Sequence, residues 1–189
     1  MMKTLIRSVF ISSAAMMFVT GCAMVAPGYN PSMENVQSLK NNSATALKVT
    51  PFGSEKSPEN NNPISIRGSS LASPYDQSYS SYLTAALKQE LQLANRLSND
   101  AGIEVTGILL KNDIDAAGFS TGYTTVSARF IVKKDGKEVF NQIKTVKYEF
   151  PSSFVGSVAI PAAVQSYNVA VQKLLASLFA DQAFNLATK

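Results

Sequence analysis

Between Ile103 and Phe150 the chain carries three stretches dominated by β-branched and long aliphatic residues, the last two joined through Lys134-Asp135-Gly136-Lys137. Asp-Gly supplies two residues that accept positive φ, the backbone of a tight hairpin turn. Thr124 to Lys133 and Glu138 to Phe150 are therefore predicted to pair antiparallel, with Ile103 to Leu110 as the strand before them. Such a meander has one apolar face to cover, which excludes an all-helical fold and requires a second layer. Two registers are open. A two-residue turn sets Val132 opposite Val139, whereas a bulged turn puts Phe140, Val146, Tyr148 and Phe150 on the face that carries Phe130. The bulged register buries more aromatic surface and is preferred.

The covering layer comes from two amphipathic helices. Ser73-Pro74-Tyr75-Asp76 reads as a helix start, with a capping serine, proline at the first helical position and an acid at the third. Behind it Tyr79, Tyr82, Leu83, Ala86, Leu87, Leu91 and Ala94 recur at spacings of three and four. A last helix, predicted to begin near Pro161, aligns Val164, Tyr167, Val171, Leu174, Leu175 and Leu178 and continues towards Phe184. Ahead of these lie two short strands, Leu47 to Phe52 and Pro63 to Arg67, separated by the polar loop Gly53 to Asn62. The expected fold is α+β, a two-layer sandwich of order β-β-α-β-β-β-α, with a mainly antiparallel sheet and both helices on one face. There is no internal repeat, and residues 45–189 form a single domain.

The N-terminal segment is of a different kind. Lys3 and Arg7 precede an apolar run from Val9 to Val19, and Thr20 and Gly21 are small, which is the pattern of a secretory signal peptide over residues 1–21. A run of about 11 residues broken by Ser12 and Ser13 falls short of the roughly 20 that cross a bilayer. From Pro27 to Asn42 the sequence has two prolines, four asparagines and no sustained period. Residues 22–44 are therefore expected to form a tether; whether part of it docks on the domain is left open by the sequence. With Lys3 and Arg7 gone, the formal net charge of +4 falls to +2, so there is no electrostatic case for nucleic acid. Cys22 is the only cysteine; no disulfide can form, and the fold must rest on its hydrophobic core.

Chemistry is scarce. The chain has no histidine and no tryptophan, which removes the usual general base and a common metal ligand. No Ser-x-x-Lys spacing, Gly-x-Ser-x-Gly elbow or phosphate-binding glycine loop is present. Asp113 and Asp115 in "NDIDAAG" share a side if their strand continues. As a calcium loop they fail at position five, Ala117, and are weak at position twelve, Thr124. The preferred reading is that they cap a strand entering "AAGFSTGY", with a catalytic or metal role as the alternative. No cofactor and no metal are expected. A second feature is the uncharged stretch from Phe150 to Ala163. Phe154, Val155 and Ile160 either tuck under the sheet edge or form an exposed rim that takes a lipid chain or a partner; packing is preferred for Phe154 and Val155 is left open. Tyr75, Tyr79 and Tyr82 raise the same choice, and the core-facing reading is preferred, with Tyr79 and Tyr82 kept as candidate contacts.

Val19-Thr20-Gly21-Cys22 resembles a bacterial lipobox, which implies that Cys22 receives a diacylglyceryl group and becomes the mature N-terminus. Ala23 stands where lipoproteins retained at the inner membrane usually have Asp, so the resemblance implies the periplasmic face of the outer membrane. The stretches "VTGILLKNDIDAAGFSTG", "YEFPSSFVGSVAIPAAVQSY" and "LLASLFADQAF" resemble a family of small, uncharacterised proteobacterial lipoproteins. The order of elements is similar, more distantly, to auxiliary envelope lipoproteins: those of lipopolysaccharide assembly, of lipid-trafficking ABC systems and of curli secretion. These likenesses imply a non-enzymatic, lipid-anchored module with an envelope protein as partner, assisting transport or assembly. The alternative is a carrier that shelters a lipid or other apolar ligand between sheet and helices.

Overall fold

The structure, a computed structural model, describes residues 23–189; the signal segment 1–21 and Cys22 lie outside the described residues. In chain order the elements are β1 (Ala23–Val25), α1 (Met33–Asn42), β2 (Lys48–Val49), β3 (Gly53–Ser54), β4 (Ile64–Ile66) and β5 (Ser69–Ala72). There follow α2 (Tyr79–Leu93), β6 (Ile103–Asp115), β7 (Thr121–Lys134), β8 (Lys137–Pro151), α3 (Gly156–Phe179) and α4 (Gln182–Ala187). The fold is α+β, with mixed sheets packed against helices.

The long strands β6, β7 and β8 form an antiparallel meander, and β2 and β3 add in parallel to successive parts of β6. Asp135 and Gly136 both take positive φ in the β7–β8 turn, and a bulge follows at once, so Val132 faces Phe140 rather than Val139. The preferred register is thus the observed one. Phe130, Phe140 and Phe150 are all buried, whereas Val139 is exposed. On β6 the inward residues are Ile103, Val105 and Leu109 up to a second bulge, after which Asn112 and Ile114 point in. Gly107 is needed on that inner face because the Phe52 ring lies on it: a Cβ there would sit 2.4 Å from Phe52 Cε1. Phe52 in turn meets Phe130 edge to face at 5.6 Å.

α3 lies over β7 and β8, and α2 over β6 and the short strands. Leu174, Leu175 and Leu178 of α3 and Leu83, Leu87 and Leu91 of α2 are fully enclosed, so the apolar stripes read from the spacing are the packed ones. Their starting points differ from expectation. Asp76 and Gln77 adopt left-handed φ and turn the chain after Ser73-Pro74; the helix begins only at Tyr79, where the Ser78 hydroxyl accepts from the Ser81 amide at 3.4 Å. α3 begins at Gly156 instead of near Pro161, which falls in its second turn and forgoes one backbone bond. The chain then breaks at Ala180 and restarts as α4, with Asp181 capping the Ala183 and Phe184 amides.

The expected tether is corrected. Ala23–Val25 pairs in parallel with β5, and β5 pairs antiparallel with β4, making a separate three-stranded sheet. α1 packs on α2 and α3, burying Val36 and Leu39. Two buried apolar side chains could not hold a ten-residue helix in isolation, so the segment is ordered by what it docks against.

Candidate functional site

The docked N-terminal segment is held by a buried carboxylate. Glu90 on α2 is inaccessible to solvent, and its Oε1 accepts from the Tyr29 hydroxyl, the Ser32 amide at 3.0 Å and Asn35 Nδ2 at 3.2 Å. Oε2 has no hydrogen-bond partner. Burial pushes the Glu90 carboxyl above its ordinary value, against the three donors, which favour the charged form. Around this clasp five tyrosines meet: Tyr82 stands edge to face with Tyr29, Tyr75 and Tyr167, and Tyr79 tilts against Tyr167 at 4.8 Å. Burial raises the phenols of Tyr29, Tyr79, Tyr82 and Tyr167, so all stay protonated. Tyr79 and Tyr82, kept as candidate contacts on the sequence, are each only 1% exposed, and the Tyr79 hydroxyl is used by the Leu71 carbonyl at 2.9 Å. They are core residues, not an exposed contact face.

Tyr82 nevertheless reaches a surface cleft of about 290 Å³ between the N-terminal segment and α3. Its walls are mainly apolar, from Ala26, Pro27, Val164 and Tyr167, with the amides of Asn30 and Asn168 at the lip. The Asn30 backbone N–H donates to Asn168 Oδ1 at 2.8 Å, fixing one wall to the other.

A second feature lies at one end of the meander, where three connections converge: the β4–β5 turn, the β6–β7 loop, and the link from β8 to α3. Arg67, in a left-handed turn with Gly68, ties them together. Its Nε donates to the Ala116 carbonyl at 2.7 Å, Nη1 to Phe154 at 3.0 Å and Nη2 to Gly118 at 3.3 Å. On this frame Phe119 and Phe154 stack with ring centroids 5.7 Å apart and planes 13° from parallel, each 76% exposed. Val155 and Val158 are exposed beside them. The expectation that Phe154 packs under the sheet edge is therefore corrected. Phe150 takes that place, its ring against Gly122, and only Ile160 of the proposed trio packs against the core.

Asp113 and Asp115 stand on the outer side of the continued strand, where Asp113 accepts from Asn61 Nδ2 at 2.9 Å and Asp115 from the Ala117 amide at 3.0 Å. Asp115 caps the loop that follows, and Asp113 ties the loop before β4 to the strand. Among the described residues no three His, Cys, Asp or Glu side chains gather as a metal site, and no helix is long and apolar enough to cross a membrane. Sequence reasoning missed Phe119, Val158, Arg67 and Glu90. Phe119 had a signal, an aromatic inside a Gly- and Ser-rich loop with no alternating neighbours. Glu90 had none, since one acid at the edge of an apolar helix stripe looks like a solvated residue.

No family model and no curated protein matches the sequence. Solved structures do. Protein XCC0632 from Xanthomonas campestris, of family-model DUF330, superposes with a TM-score of 0.59 at 13% identity, covering 86% of this chain and 95% of that one. An inferred lipoprotein from Caulobacter crescentus CB15 gives 0.46 at 13% identity, covering 82% and 96%. Lipoprotein GNA1162 from Neisseria meningitidis gives 0.29 at 12%, covering 70% and 99%. The first likeness shows a shared fold and no more, and the other two are too distant to carry an argument.

Proposed function

We propose that this chain is a lipid-anchored, non-enzymatic module on the periplasmic face of the outer membrane, which docks an envelope protein and so assists transport or assembly. The observation that carries the reading is the cleft between Ala26–Asn30 and α3: an open, mainly apolar slot with amides at its lip, of a size to take a partner's side chain. Its wall is the segment that directly follows the lipobox cysteine, so anchor and docking slot are parts of one rigid unit. The alternative, a carrier of a lipid or other apolar ligand, is less favoured. The space between sheet and helices is filled by Phe52, Phe130, Leu174 and their neighbours, and the clefts of about 290 and 300 Å³ are open and near the lower limit for ligand pockets.

Two substitutions test the proposal. Cys22→Ser should abolish lipid labelling, and unchanged labelling would overturn the anchor. Val164→Trp, which fills the cleft, should abolish crosslinking of the intact lipoprotein to its partner in envelopes while leaving the thermal transition close to that of the parent. Undiminished crosslinking would overturn the cleft as the docking slot.

A further inference from the structure

The tip formed by Phe119, Phe154, Val155 and Val158 uses apolar surface in a way that neither the core nor the cleft explains. Two stacked phenylalanines three-quarters exposed, with two exposed valines beside them, form a contiguous apolar patch, of the sort that marks a contact surface rather than scattered exposure. The patch is rigidly mounted, because Arg67, itself in the β4–β5 turn, binds the other two connections that support it. Among the described residues Arg67 has no carboxylate partner, so the base of the patch also carries an unneutralised positive charge.

The place of the N-terminus decides what covers it. Ala23 is opposite Ser70 in the parallel β1–β5 pair, and Ser70 is three residues beyond Arg67 in the β4–β5 hairpin. Because β1 runs the same way as β5, away from the Arg67-Gly68 turn, the bond from Ala23 back to residue 22 heads towards that turn. The chain therefore enters the described domain, at Ala23, from this end of the molecule. On the reading that Cys22 is acylated, a single peptide bond joins the lipid-bearing residue to the strand beside the tip.

We propose that the Phe119/Phe154 tip is a membrane-seating surface: it enters the interfacial region of the bilayer that holds the Cys22 lipid, with Arg67 at the level of the anionic headgroups. Lipid-facing aromatics at the interface and a cation just above them are the arrangement that such a boundary favours. The inference rests on acylation of Cys22 as read above and adds the orientation, with α3 and the meander standing up from the membrane and the β7–β8 turn pointing away.

The chain has no tryptophan, so a single introduced one reports its own surroundings. Phe154→Trp and, as a remote control, Val139→Trp would be made in the full-length lipoprotein. Val139 is at the opposite end of β8, about 40 Å away at about 3.4 Å per residue. Each protein is reconstituted into phosphatidylethanolamine and phosphatidylglycerol vesicles whose acyl chains carry bromine near the headgroup. Phe154→Trp should shift to the blue and lose at least half its emission to the bromines, and Val139→Trp should do neither. If the N-terminal peptide is acylated by mass but Phe154→Trp is no more quenched than Val139→Trp, the tip proposal is overturned and the anchor stands. A blue shift in native envelopes without quenching in vesicles would also overturn it, assigning the tip to a protein. A non-acylated N-terminal peptide would overturn the anchor and, with it, this orientation.

Discussion

The two aromatic clusters invert the usual expectation. The residues with hydroxyls, Tyr29, Tyr79, Tyr82 and Tyr167, are buried, and the hydrocarbon rings of Phe119 and Phe154 are in the open. Two arginines, one buried at the far end of α2 from the tyrosines and one beneath the tip, each act through backbone carbonyls. Arg96, 1% exposed, donates to Thr45, Leu39 and Thr188 and so joins the end of α1 to the C-terminal segment; burial holds its guanidinium below its ordinary value. Arg67 does the same for the tip in solvent. The difference teaches that a polar aromatic is cheap to bury when its hydroxyl has an acceptor, as those of Tyr29, Tyr79 and Tyr82 do, and that an apolar one stays outside when neighbours already fill the core.

The comparison breaks if the buried cluster proves dispensable. Tyr167→Ala should cost about 3–5 kcal/mol in urea unfolding, the range for truncating a large buried aromatic. A loss under about 1 kcal/mol would mean that the cluster can collapse. Next in size, Arg96→Met leaves buried carbonyls unpaired at about 1–3 kcal/mol each, whereas Arg67→Met, at carbonyls that water reaches, should cost less than about 1 kcal/mol. Equal costs would erase the distinction between the two arginines.

Titration sharpens it further. Glu90 binds its proton more tightly folded than unfolded, so it favours the fold below the ordinary carboxylate range, and that contribution is lost as pH rises through its raised value. Glu90→Gln should therefore raise the melting temperature at pH 7 relative to the parent and match it near pH 4; a variant less stable at both would show that the charged clasp is what holds α1. Asp181 has the opposite sign. Burial opposes its charge, but Lys144 and the Phe184 and Ala183 amides prevail and its carboxyl lies below the ordinary value. Its contribution is present above the ordinary range and is lost as pH falls through the lowered value, so Asp181→Asn should flatten the acid limb of the melt. The smallest effect belongs to the tip: Phe119→Ser with Phe154→Ser should change stability by no more than about 0.5 kcal/mol.

Particular elements show how much of this was legible. The hairpin register followed from Asp135-Gly136 and from the gain in placing Phe140 and Phe150 beside Phe130, both local in sequence. The stripes of α2 and α3 were legible because helical spacing exposes a core face without knowledge of the partner. α1 and β1 were not, because "MENVQSLKNN" has only Val36 and Leu39 to bury and Ala23–Val25 is ordered by β5, 47 residues away in the register. Of the candidate contacts, Tyr79 and Tyr82 turned inward because hydroxyl acceptors exist only once β5 and α3 are in place. Phe154 turned outward because Phe150 reaches the sheet edge first.

By itself the sequence determined the α+β class, the meander with its bulged hairpin and the two packed helix faces, since period, turn chemistry and burial are properties of neighbouring residues. Tertiary structure alone decided that the segment after Cys22 is a strand and a clasped helix instead of a tether, and that the apolar tip shares an end with it. Those outcomes depend on contacts such as Tyr29 with Glu90 and Arg67 with Phe154, between residues 61 and 87 positions apart, and no local pattern encodes a partner at that distance.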